Sequence, residues 1–151
     1  MKRGIIEDVS VRQLSDMHTL GIRASWKPPT KPSLRILKEL VPNVQDVQVS
    51  REVIANGNRF TAGDVVIFQR HGRHHCGELL MLTLCSNEEL ALVTQWAPAG
   101  GLHPDARTQK FIVPACREPF FVSMDSLHTS VVYTKEAAAI VILPHGVQAI
   151  A

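Results

Sequence analysis

The chain has 151 residues, 45% hydrophobic and 20% charged, with a formal net charge of +2. That size holds one domain with a real core and an appendage, and the composition excludes wholesale disorder. No apolar run approaches the ~18–20 residues that a membrane-spanning helix needs, so no membrane partner is expected.

Residues 1–9 read as a frayed start. Lys2 and Arg3 are followed by Ile5 and Ile6, but Glu7 and Asp8 come next, which is no secretory leader. Ser10 is placed to cap a helix over Val11 to Leu20. Val11, Leu14, Met17 and His18 recur at helical spacing, and Gly21 sits where a C-terminal cap belongs. Ile22 to Pro32 reads as an extended, semi-rigid linker, because Pro28, Pro29 and Pro32 remove backbone donors and bias their neighbours toward extended geometry. Trp26 is expected to anchor that linker on the domain. Ser33 then caps a helix over Leu34 to Leu40 or Val41, with Leu34, Leu37 and Leu40 on one apolar stripe. Pro42 ends it.

From Val44 the period changes. Val47, Val49, Val53 and Ile54 read as strand, and Asn56-Gly57 is a hairpin signal because both central residues of that turn need positive φ. The stretch Arg59-Phe-Thr-Ala-Gly-Asp-Val-Val-Ile-Phe-Gln-Arg70 follows. It reads as a strand, a tight turn at Ala62-Gly63-Asp64, and a second strand over Val65 to Phe68. A basic, His-rich loop is expected over Gln69 to His75, and Cys76 to Cys85 returns as the partner strand. Ser86-Asn87-Glu88 makes the next turn, and Leu90 to Trp96 another strand. Ala97 to Thr108 is the longest expected loop, the kind that carries binding. Short strands are expected at Lys110 to Val113, Pro119 to Val122, Val131 to Tyr133 and Ala139 to Leu143. Met124 to Leu127 reads as one helical turn. Short strands at this spacing predict a closed or nearly closed all-β domain.

Charge and cysteine usage bear on function. Residues 1–51 hold nine Lys/Arg against five Asp/Glu, whereas residues 52–151 hold seven against nine. A basic N-terminal third can attract nucleic acid or an acidic partner, weighed against a plain solvated face. Cys76, Cys85 and Cys116 are odd in number and irregularly spaced, which fits reduced thiols inside a cell. His71, His74, His75 and Cys76 offer four zinc-ligand types within six residues. Neighbours on a strand point to opposite faces, however, and no second pair stands at a recognised spacing. Cys76 beside His75, and Ser126 with His128, are unspecific as nucleophile and base. Trp96 and Tyr133, with Phe68 or Phe111, are candidates for an aromatic cage around a methylated lysine, weighed against simple core packing.

Several ordered features carry a resemblance. They are Asn56-Gly57, Arg59 to Phe68, Gly77-Glu-Leu-Leu80, Gln95-Trp96, Met124-Asp-Ser-Leu-His128 and Ile140-Val-Ile-Leu-Pro144. In these the segment from about Val47 to Val147 is similar to a domain near the C-terminus of transposon-encoded proteins of the Kyakuja-Dileera-Zisupton kind. The Gly-Asp-Val-Val turn with its Gly-Glu-Leu return also looks like bromo-adjacent homology (BAH) domains of chromatin proteins. That resemblance implies a distorted β-barrel used for protein contacts, some of them with modified histone tails.

The combined expectation is a mainly β fold, a small distorted β-barrel of BAH/SH3-like kind with a short helical N-terminal extension. The division is 1–46, basic and proline-broken; 47–147, the barrel; and 148–151, a tail. The expected role is non-enzymatic and cofactor-free: docking of a protein or peptide, chromatin-associated, at the barrel rim through the 97–108 loop with Trp96, Leu102, His103 and Tyr133. The first alternative is contact with a nucleic-acid backbone through Arg23, Lys27, Lys31, Arg70, Arg73 and His74. The second is a small zinc site at His71 to Cys76. The expected setting is intracellular and nuclear.

Overall fold

The computed structural model describes residues 22–115, 118–135 and 137–151. The helix expected over Val11 to Leu20, and Cys116, lie outside them. In chain order the elements are β1 (Arg23–Ala24), α1 (Lys31–Leu40), β2 (Val47–Ser50), β3 (Glu52–Ala55), β4 (Asn58–Thr61), β5 (Val65–Arg70), β6 (Arg73–Cys85) and β7 (Glu88–Val93). There follow β8 (Ala97–Pro98), β9 (Thr108–Ile112), β10 (Phe120–Ser123), a 3-10 turn (Met124–Ser126), β11 (Leu127–Ser130), β12 (Tyr133–Lys135) and β13 (Ala139–Ile142).

The β5/β6 hairpin is the inner wall of the molecule. Val66 and Phe68 face one apolar cluster with Val53, Phe60, Leu79, Val93 and Leu127. Val65, Ile67 and Cys76 face a second cluster with Trp96, Phe111, Val141 and Leu143. A strand buried on both faces needs an unbroken apolar run rather than alternation, and Val65-Val-Ile-Phe68 supplies it. The polar residues beyond that run are not a loop. Gln69 pairs with His74 and Arg70 with Arg73, so the ladder continues to a two-residue turn at His71-Gly72. Both turn residues have positive φ, 54° and 76°, the geometry whose twist matches that of antiparallel strands. Polarity marks where the hairpin leaves the core, not where the strand stops.

Strand β6 is long enough to serve several partners. Its first half pairs with β5, and its second half pairs with β2 on one side and β7 on the other. A register shift between Leu79 and Met81 interrupts the alternation. It lets Leu80 and Met81 both reach a third cluster, with Leu37 of α1 and Leu92. The helix thus covers one end of the sheet. The four-stranded sheet β12-β13-β9-β8 covers the second cluster, and the sheet β1-β3-β4 lies over the first.

The fold is therefore mainly β, in antiparallel sheets, as expected. Among the described residues each sheet is open, with β10 and β11, β12 and β8, and β1 and β4 at the edges. Closure depends on pairings between strands far apart in sequence, and local patterning carries no trace of them. Two smaller differences have clear causes. Helix α1 is capped by Thr30, whose hydroxyl oxygen accepts from the Ser33 N–H, because Pro32 can occupy the first turn without losing a needed donor. The 97–108 stretch is not a free loop: β8 pairs with β9, and His103 bridges Thr108.

The turn at 62–64 matches its expectation and also joins distant strands. Gly63 has φ +101°, and Asp64 Oδ2 accepts from the Thr61 N–H at 2.9 Å and the Ser130 hydroxyl at 2.9 Å. Asp64→Ala is expected to cost about 2 kcal/mol, since two charge-assisted bonds go at once. Asp64→Asn, which keeps an acceptor, should cost less than half of that. Equilibrium urea unfolding of both variants checks this, and equal losses would rule out the hydrogen-bond account.

Candidate interaction surfaces

The residues expected at a docking rim come together, but not all at the surface. Trp96 is 2% exposed and belongs to the second cluster. Its backbone N–H donates to the Cys76 carbonyl, which draws the chain inward just after β7. Among the described residues its indole Nε1 has no hydrogen-bond partner. Tyr133 stands edge-on to it, with ring centroids 6.0 Å apart, and is exposed. Leu102 is half-buried on the same cluster, and His103 is exposed. Of the other cage candidates, Phe68 and Phe111 are fully buried, in the first and second cluster respectively. Trp96 is thus floor rather than rim, and Tyr133 is the exposed ring of the pair.

The surface beside Tyr133 was not legible in advance. In the ladder, Thr134 opposes Ile140 and Ile140 opposes Lys110, while Ile142 opposes Thr108. Side chains of opposed residues share a face, so Ile140 and Ile142 point away from Val141 and the core. Exposure follows: Val132 69%, Ile112 53%, Ile142 47%, Ile140 42%. Four β-branched aliphatics on one outer sheet face form an apolar patch, with Lys110 beside it. The sheet ends at β12, whose three residues are all exposed.

The six residues expected at a nucleic acid fall into two places. Arg70, Arg73 and His74 lie at the tip of the β5/β6 hairpin. Arg70 is stacked on the Phe120 ring, its Cζ 3.7 Å from the centroid. His74 faces His128, ring centroids 5.2 Å apart, and its Nε2 lies 3.4 Å from Gln69 Nε2. Burial, then the neighbouring His128 and His75, hold the His74 imidazole below its ordinary pKa. His75 lies on the opposite face, against Phe68, with its ring nitrogen 3.3 Å from the Arg70 carbonyl oxygen. Burial pushes the His75 pKa down, partly offset by that hydrogen bond. A cleft of about 330 Å³ separates this tip from residues 148–151.

Arg23 and Lys27 lie elsewhere, and the stretch carrying them is a paired strand. Arg23 and Ala24 pair with β3, and Lys27 exchanges backbone hydrogen bonds with Val49 of β2 at 2.9 and 2.8 Å. Ile22, Ala24 and Trp26 turn inward onto the first cluster, so Trp26 anchors the segment as expected. Arg23, Ser25 and Lys27 alternate outward and are exposed. Lys31 opens α1 and is also exposed. Arg51, which sequence reasoning passed over, sits at the bend between β2 and β3 beside Arg23 and Lys27.

Among the described residues no three His, Cys, Asp or Glu side chains gather as a metal ion would need. Alternation along β6 is the reason: His74 and Cys76 lie on one face, His75 on the other. The Cys76 thiol is buried, which pushes its pKa up to about 12 and keeps it protonated near neutrality. Compared with protein-family models and with curated proteins, the chain matches none.

Proposed function

We propose that this chain is a non-enzymatic interaction module that takes an extended segment of a protein partner onto the open edge of β12. One observation carries the reading: the four-stranded sheet stops at an exposed strand while its outer face shows Val132, Ile140, Ile142 and Ile112 to solvent. Ile142 N–H donates to the Val132 carbonyl, so residues 132 and 134 bond inward to β13, and Tyr133 and Lys135 turn their backbone groups to the open edge. An added strand would satisfy those groups and continue the pleat. Its outward side chains would pack on Val132 and Thr134, its inward ones on Tyr133. Lys135 favours an acidic residue at one end of the peptide.

The resemblance to BAH and transposon-encoded domains supports a chromatin or mobile-element setting in the nucleus for such a module. It also supports reading the open sheets as a distorted barrel of BAH/SH3-like kind. Both belong to this proposal.

The test is selection from a displayed random-peptide library, with affinities of the selected peptides measured by calorimetry. Peptides with alternate aliphatic residues and an acidic end are expected. Lys135→Pro removes an outward N–H without touching the ladder to β13, and should weaken them at least about tenfold. Ile142→Glu should weaken them too. Binders indifferent to both variants would overturn the reading. So would a dimer of the chain that Lys135→Pro splits, because the occupant would then be a second copy.

A further inference from the structure

We infer that the cleft between the 23–30 segment and the β2–β3 bend binds the phosphate backbone of duplex nucleic acid. The cleft measures about 580 Å³, and Arg23, Lys27 and Arg51 all line it. Among the described residues lining it one is a carboxylate, Glu52, and Arg59 holds it at 3.6 Å. Three cations on a concave surface focus field and raise the local concentration of anions. Helix α1 starts at the same place: Thr30, its N-cap, lines the cleft, and the N-terminal end of the helix dipole adds to the positive potential.

The arrangement suits a polymer better than a single phosphate. Arg23 and Lys27 are four residues apart on an extended strand, roughly 13 Å, so they address separate phosphates along a backbone. Among the described residues no aromatic ring lines the cleft, since Trp26 faces the core instead. Base stacking, the usual source of affinity for single strands, is therefore absent, and what is left is contact with the backbone. Charge on an edge segment also deters sheet-to-sheet pairing, but that role needs no cleft and no cation at Arg51.

The hairpin tip is the competing basic surface, and it is less free. Arg70 is committed to the Phe120 ring and His74 to its partners, which leaves Arg73 as its exposed cation.

The experiment is fluorescence anisotropy of the full chain against a labelled random-sequence duplex, the matching single strand and a phosphoserine peptide, each across a salt series. The variants are Arg23→Gln/Lys27→Gln/Arg51→Gln and Arg70→Gln/Arg73→Gln. All five side chains are replaced by a polar, uncharged one, and circular dichroism confirms that both variants fold. The expected result is duplex binding that weakens steeply with salt. The triple variant should lose at least about tenfold in affinity, and its salt slope should fall by roughly two to three, near 0.9 per lost phosphate contact. The double variant should bind much as the parent does. No binding at low salt, a larger loss in the double variant, or tighter cleft-dependent binding of the single strand or the phosphopeptide would overturn the inference.

Discussion

Gly77→Ala is expected to cost more than about 3 kcal/mol, the largest effect of an alanine at any of the described glycines. A Cβ at Gly77 would run into the Thr94 carbonyl oxygen and lie 2.7 Å from its carbon, both backbone atoms. No side chain can turn aside to make room. Relief requires moving the 94–96 segment off β6. That would stretch the bonds that bring it there, Thr94 N–H to the Glu78 carbonyl at 3.0 Å and Trp96 N–H to the Cys76 carbonyl at 2.8 Å. It would also draw Trp96 out of the second cluster, which loses its largest ring. Gly101→Ala is the control: nothing lies within 4 Å of that position and its φ is ordinary. Urea unfolding of the two variants beside the parent decides the matter. A Gly77→Ala midpoint close to that of Gly101→Ala would show that the close approach is dispensable.

Gln109→Leu is expected to cost about 3 kcal/mol and to loosen one end of the molecule more than the rest. Gln109 is buried on β9 and treats Ile150 as a neighbouring strand would. Its Oε1 accepts from the Ile150 N–H at 2.9 Å, and its Nε2 donates to the Ile150 carbonyl at 2.6 Å and the Gly100 carbonyl at 2.9 Å. Leucine keeps the volume but leaves the buried Ile150 N–H and carbonyl without those partners. Arg107 provides a second fastening, donating to the carbonyls of Pro144 and Val147 at 2.9 and 2.8 Å. The tail should therefore stay attached to 147 and open beyond it. Amide hydrogen exchange reads this directly: Ile150 should lose protection while Val141 and Ile67 keep most of theirs. Uniform loss across β13 and β5 would show that the clamp belongs to the global fold instead.

What the sequence made legible is local. Asn56-Gly57, Gly63-Asp64, Pro42 and the Met124 turn each follow from the conformational limits of one or two residues, and each stands where those limits put it. Val65 to Phe68 was readable as strand because only a pleated environment suits that run. The 69–75 stretch misleads because a hairpin that projects past its core carries polar residues on true strand positions. The outer row of Val132, Ile140 and Ile142 was hidden for a different reason. Its exposure depends on the register of β13 against β9 and β12, and a shift of one residue would bury these side chains. Of the candidate contacts, Tyr133, His103, Arg23, Lys27, Lys31 and Arg73 are exposed. Trp96 is not, since its size favours the interior once a cluster is within reach.

The hairpin buried on both faces has a consequence for how the molecule comes apart. Phe68 and Ile67 are neighbours in sequence, yet each sits in a different cluster, so neither cluster can melt and leave the other with an intact wall. Trp26 lies against one cluster and Trp96 within the other, which makes them two internal thermometers for a single cooperative transition. The melting point of the whole thus depends on that shared partition, Val65 to Phe68 with Cys76, more directly than on the edge segments.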